Sequence, residues 1–371
     1  MKIKKKLSSY FSIPKSRRVI YDYIRVFACI GIICLHATGD RADLTGIIFE
    51  TFSRISLPLF ALLSGVLILG GDKTKSYIKY YYKRFVRIVI PYLVYGIVYT
   101  GWVKEGYIIP DTITIDRLLN AVRKIPDAIV SNLREYQFFH LWYMLMIIGF
   151  YVVAPFIRKG LTAFDRNDLK WLMIVMLGAY TAADYLPLFG INIGITNFFP
   201  DWMIYFLAGY ILSKIEKKSM YVIFVIAGIF SVLGMFWMKL YHGDIPVNNF
   251  YDLAPHMMLA TCGFYSLMML VEPYITRFGP VNWIIMKLSK YTFSIYMIHG
   301  EILFIYMNIH PGLNKTASGT IWEVLVVFGK CLLFAVIYDN IVTFNIQRIF
   351  VLLGKRINKL YTHLKQKVAT E

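Results

Sequence analysis

Ten stretches of this chain are largely apolar for sixteen residues or more: 19–38, 47–70, 85–103, 139–157, 169–189, 198–213, 219–240, 252–272, 288–308 and 321–346. A helix needs about 20 apolar residues to cross the hydrocarbon core of a bilayer, where lipid offers no partner to a bare peptide group. Blocks of this length do not fit the alternating faces of soluble helices and strands. Only 17% of the residues are charged, against roughly 25% in soluble domains. Disordered, collagenous, coiled-coil and disulfide-framework chains are excluded by a content of 28 Tyr and 27 Phe. The expected fold is an all-α polytopic membrane protein of about ten transmembrane helices, a single domain over 1–371. The sixth block is short and the third opens in a basic, aromatic stretch, so their edges are the least defined.

The net charge of +18 would suggest nucleic acid on a soluble chain, and the placement of the charges decides otherwise. Of the 40 Lys and Arg, 29 fall in segments 1–18, 71–87, 158–170, 214–218, 273–290 and 347–371, which ten crossings put on one side. The positive-inside rule makes that side the cytoplasm. Both termini are therefore expected there, with 1–18 and 347–371 as basic tails and 104–138 as an extracytoplasmic loop. No nucleic-acid partner is expected; the lipid bilayer is one. In the long loop, Ile115, Leu118, Leu119 and Val122 have the spacing of an amphipathic helix, suited to surface packing or to a lid. The basic start, Met1 to Lys6, leads into a span holding Asp22 and Arg25, unlike a cleavable signal. Cys29, Cys34, Cys262 and Cys331 lie in apolar blocks as packing residues, and no metal site is expected.

Ionisable groups inside spans are costly and face a partner or a cavity, so each is a functional candidate. Arg25 and His36 share one face of the first span, about 20° apart in azimuth and roughly 16 Å apart along the axis. Asp22 stands one turn before Arg25 and can pair with it. A neutral imidazole suits proton removal near pH 7, and it also suits a hydrogen-bonded core. The second span opens with Glu50, Ser53 and Arg54, where Glu50 and Arg54 can pair or Arg54 can face an oxyanion. Arg84 and Arg87, three apart at the cytoplasmic mouth of the third span, suit a phosphorylated ligand or anionic lipid. His140, Trp142 and Tyr143 open the fourth span, where an aromatic belt explains the two aromatic residues. His299 sits mid-span with Ser294, Tyr296 and Glu301 near it in sequence, and it requires a polar partner.

Taken in order, these pieces resemble the acyltransferase-3 family of integral membrane acyltransferases over nearly the whole chain. The resemblance rests on Arg25-x10-His36, on Ser53 to Phe60 with Ser64-Gly65, and on Arg84-x-x-Arg87 with Pro91-Tyr92. It continues in His140-Leu141-Trp142-Tyr143, Phe206-Leu207-Ala208-Gly209-Tyr210 and Ser294 to His299. The second-span run and the His-Leu-Trp block are most similar to the enterobacterial-common-antigen O-acetyltransferase group. The resemblance implies a multi-pass protein of a bacterial inner membrane. It further implies an acyl-CoA donor, acetyl-CoA by default, with no permanently bound cofactor, and an acceptor hydroxyl on a surface or lipid-linked glycan. It places the essential histidine at His36 with Arg25 as its motif partner, and the CoA-phosphate contacts at Arg84 and Arg87. Ser53, Arg54, His140, Trp142 and His299 stand as further acceptor or oxyanion contacts.

These roles describe a membrane O-acyltransferase in which His36 is either a general base or the acyl carrier itself. A second class stays open: a transporter or flippase whose path is lined by the same intramembrane charges. No inverted repeat and no pair of Gly/Pro-broken spans marks that alternative in the sequence. A second copy of the chain is a further partner that the composition allows.

Overall fold

The computed structural model describes residues 17–39, 41, 43–71, 74, 76–98, 123–134, 139–191, 202–241 and 253–368, and among them all regular structure is helical. The helices are α1 (Ile20–Thr38), α2 (Leu44–Ser53), α3 (Ser56–Gly65), α4 (Tyr77–Arg84), α5 (Ile90–Val98), α6 (Ile125–Arg134) and α7 (Trp142–Leu161). They continue as α8 (Arg166–Tyr185), α9 (Met203–Ser213), α10 (Lys218–Tyr241), α11 (Pro255–Ile275), α12 (Gly279–Ile309), α13 (Ala317–Tyr338) and α14 (Phe344–Val368).

Among the described residues, six segments are long and apolar enough to cross a membrane: Ile20–Thr38, Leu44–Gly70, Trp142–Leu161, Lys218–Tyr241, Pro255–Ile275 and Ala317–Lys359. They carry the first, second, fourth, seventh, eighth and tenth blocks. The sixth block is the shorter apolar helix α9, and the fifth and ninth are the more polar α8 and α12. The ninth runs 31 residues, from Gly279, well beyond the expected 288–308, because the stretch before it with Lys287 is absorbed into the helix. The basic segment from 347 onward is likewise no loose tail but helix as far as Val368. Of the loop 104–138, the helix Ile125–Arg134 is described, while Ile115, Leu118, Leu119 and Val122 lie outside the described residues.

In two of the spans a proline explains a local rewinding. The second breaks at Arg54 and Ile55, between α2 and α3. Pro58 has no N–H for the Arg54 carbonyl one turn earlier and crowds it, so the helix loosens there. In the third block a π turn, Phe85–Val89, precedes α5. Pro91 cannot bond the Arg87 carbonyl, and the Ile90 N–H reaches back to Phe85 instead.

The chain forms two compact units, Met1–Asp72 with Val153–Gly329 and Lys73–Val152 with Lys330–Glu371. In the first, α1 packs along α12 with both chains running the same way. Ser289 donates to Asp22 at 2.7 Å, the Cys29 thiol faces the Thr292 carbonyl at 3.8 Å, and His36 lies against His299. Asp22 is 1% exposed and also takes both Arg17 donors at 2.7 and 2.8 Å and Arg25 at 3.1 Å. Beyond the end of α1, Arg41 pairs with Asp43 and donates to the Asn314 and Lys315 carbonyls, holding the Asp43 carboxyl below its usual range. Asn314 in turn donates to the Ala37 carbonyl at 2.6 Å.

Small residues let the other helices of this unit meet backbone to backbone. A Cβ on Gly209 would stand 2.0 Å from the Leu62 carbonyl oxygen, and one on Gly65 would stand 1.9 Å from that of Phe206. The Ser64-Gly65 and Phe206–Tyr210 motifs are thus the two halves of one contact between α3 and α9. Gly228 and Gly263 play the same part for α10 and α11.

In the second unit Val86, Ile90 and Val94 pack with Tyr82, Tyr338, Val342, Ile346 and Phe350. Buried hydroxyls find partners there: Tyr95 donates to Asp339 and Tyr338 to the Val94 carbonyl, both at 3.1 Å. Gln347 of α14 donates to the Val86 carbonyl, inside the π turn, at 2.9 Å.

Gly209→Ala is expected to lower stability by about 1–3 kcal/mol, since a backbone carbonyl must move to admit the methyl. Gly149→Ala, which meets open space in α7, should leave the thermal unfolding midpoint in detergent unchanged or slightly raised. Asp22→Asn is expected to cost about 3 kcal/mol by the same measurement, because it strips the shared anion from two guanidiniums. Arg17→Gln, at a residue 41% exposed, should cost no more than about 1 kcal/mol.

Candidate active site

His36 lies half-buried, two residues before the end of α1, on the stripe that faces α12. Its ring stacks on His299, with centroids 5.5 Å apart and planes at 26°. His299 is fully buried, and its Nδ1 stands 2.6 Å from the Tyr296 carbonyl oxygen. A carbonyl only accepts, which assigns the His299 proton to Nδ1 and makes Nε2 an acceptor. The Tyr296 ring closes on His299 at 5.3 Å and meets Phe60 edge-on at 6.2 Å. The two histidines are therefore unequal: His36 is reachable, and His299 is fixed behind it.

Arg54, at the break between α2 and α3, is close enough for its charge to act on His36. Its Nε and Nη2 donate to Glu50 Oε1 at 3.0 and 2.5 Å. Glu50 is 2% exposed, and its other oxygen holds the ammonium of Lys239 from the last turn of α10. Ser53 is buried at the end of α2, which packs against α1. Arg25 sits on Asp22, about 16 Å along the helix axis from His36. The first unit thus gathers His36, His299, Arg54, Glu50 and Lys239, and it holds Arg25 at the other end of α1.

The second unit carries the arginine pair. Arg84, half-buried at the end of α4, lies over the rings of Tyr80 and Tyr151 at 5.2 and 5.5 Å. Tyr80 and Tyr81 are anchored by their hydroxyls to the α7 carbonyls of Tyr151 and Val152, at 3.1 and 2.8 Å. Tyr80, anchored in this way, and Tyr151 give Arg84 a fixed aromatic seat. Arg87 is exposed in the π turn, whose wider winding turns it away from the α-helical register expected from the sequence. His140 is buried with its ring 5.1 Å from Phe139, and Trp142, half-buried, meets Tyr143 edge-on at 6.0 Å. Among the described residues no three His, Cys, Asp or Glu side chains are grouped to hold a metal ion.

Lys239 is the residue that the sequence did not single out for chemistry. A cation just inside the end of an apolar helix was a visible signal, but its partner lies 189 residues away in the chain.

Comparison with known proteins adds one finding. No curated protein and no solved structure matches the chain. The family model described as an acyltransferase domain, of the acyltransferase-3 type, matches residues 18–339. That range takes in α1 to α13 and every candidate residue above. Its helices include six fit to cross a membrane, so the chain belongs to the acyltransferase-3 family of membrane acyltransferases.

Proposed function

We propose that the protein is an O-acyltransferase that moves an acyl group, acetyl by default, from acyl-CoA to a glycan hydroxyl. The acceptor is a surface or lipid-linked saccharide. The observation that carries this reading is the stack of a partly exposed His36 on a tautomer-fixed, buried His299, with Arg54 at the end of the adjoining helix α2. His36 takes the proton of the acceptor hydroxyl as that oxygen attacks the thioester carbonyl. The tetrahedral oxyanion gains from the Arg54 guanidinium, the C–S bond breaks, and the CoA thiolate leaves and recovers the proton. His299 holds the ring plane of His36. Arg84 and Arg87 bind the donor phosphates, with Arg84 oriented by its tyrosine seat.

The chain is further read as crossing a bacterial inner membrane ten times, with both termini in the cytoplasm. The direction of α1 and α12 supports this. Spans that run the same way are an even number of crossings apart, as the first and ninth are.

His36→Ala is expected to lower transfer from labelled acetyl-CoA into membrane glycan by about 10²–10⁴-fold at normal expression. Full activity in that variant would sink the reading. Release of one equivalent of CoA before acceptor is added would make His36 the acyl carrier rather than the base. Arg84→Gln and Arg87→Gln should raise KM for acetyl-CoA while changing little for acetyl-pantetheine, which lacks the adenosine phosphates. Equal losses with both donors would assign the pair to anchoring.

A further inference from the structure

The geometry points to Glu50 and Lys239 as a positioning pair that sets the Arg54 guanidinium for the His36 site. This rests on the reading of His36 given above and names residues that the family resemblance did not single out.

Arg54 caps the end of α2, its N–H bonded to the Glu50 carbonyl at 3.0 Å. It occupies the irregular turn that Pro58 imposes, and a long side chain there has roughly 2 kcal/mol of rotamer entropy to lose on being held. Glu50, one turn earlier, grips it side-on, with Nε and Nη2 both donating to Oε1. The second oxygen of Glu50 is taken by the Lys239 ammonium. With Lys239 on Oε2, the guanidinium is confined to the Oε1 edge, and that edge determines where the rest of the group points. Without Lys239 the carboxylate presents two equivalent oxygens, and Arg54 can rotate to a forked grip on both. Lys239 thus acts on His36 at one remove, through Glu50 and Arg54. Its helix, α10, packs against α2, so a contact between two helices fixes the position of the charge.

A cation in the last turn of a helix also stabilises that helix directly, and the test must separate the two roles. Lys239→Met, Lys239→Arg, Arg54→Gln and the double variant K239M/R54Q would be assayed in membranes carrying the cell's own glycan, with labelled acetyl-CoA. Lys239→Met should lower kcat about tenfold at a KM for acetyl-CoA within about twofold of the parent, as expected of a misplaced rather than missing group. Lys239→Arg should restore most of the rate. The double variant should be no slower than Arg54→Gln alone, since the two act as one unit. If Lys239→Met fails to fold, Glu50→Gln with Lys239→Gln removes both charges together and must show the same kcat loss. A parental kcat in whichever variant folds, or losses that multiply with Arg54→Gln, would overturn the inference. His36→Ala run alongside keeps the readings apart: activity there defeats the reading of the site. An inactive His36→Ala beside an unaffected Lys239 variant defeats only the positioning pair.

Discussion

A polar side chain among lipid tails is tolerable only when another helix supplies its partner, and α1 carries four such residues on one stripe. Asp22, Arg25, Cys29 and His36 fall within about 60° of arc on an α-helix. The partners come mainly from α12: Ser289 for Asp22, the Thr292 carbonyl for Cys29 and the His299 ring for His36. The pairing sets the rotation, register and direction of both helices together. A slip of one residue on α1 would turn the stripe by about 100° and leave Asp22 buried without its hydroxyl. The placement of His36 therefore follows from the need to satisfy the whole stripe, its own stack on His299 included.

The second span reaches this stripe by a different route. It has no comparable polar stripe toward α9, and close packing of small residues fills that role, with Gly65 and Gly209 each seated on a backbone carbonyl of the other helix. Gly31 does the same on α1, where a Cβ would meet the Ser56 hydroxyl at 2.0 Å. With α3 held so tightly on both sides, the distortion imposed by Pro58 is displaced to Arg54 and Ile55. The break leaves Arg54 outside the regular helix, within one turn of Glu50 and within range of His36.

Much of the first unit's chemistry was legible because misplaced charges are conspicuous. Asp22 with Arg25 and Glu50 with Arg54 follow from helical spacing alone, and both pairs form. Lys239, Ser289 and the stacking of His36 on His299 depend on helices distant in sequence, and a period of 3.6 residues says nothing of which helix answers which. The Arg84–Arg87 spacing did not show the local geometry: Pro91 converts the intervening turn to a π turn, and Arg84 packs on tyrosine rings while Arg87 is exposed. The ninth and tenth blocks understated their helices because hydropathy ends where charge begins. The backbone hydrogen bonds do not end there.

The two carboxylates of α1 and α2 share one plan. Asp22 is held by Arg17 and Arg25, and Glu50 by Arg54 and Lys239, each carboxylate almost fully buried and each shared between two cations. A lone buried ion pair returns little stability after desolvation. A carboxylate that joins two cations from different segments also fixes where both charges lie, and that geometry is what a site for a developing oxyanion requires. At the Asp22 end the junction ties the start of α1 to α12 and holds Arg25 in an ion pair. At the Glu50 end one of the two cations lies within range of a reachable imidazole. The same electrostatic device therefore stands toward both ends of α1, and what distinguishes the Glu50 end is the partly exposed ring of His36.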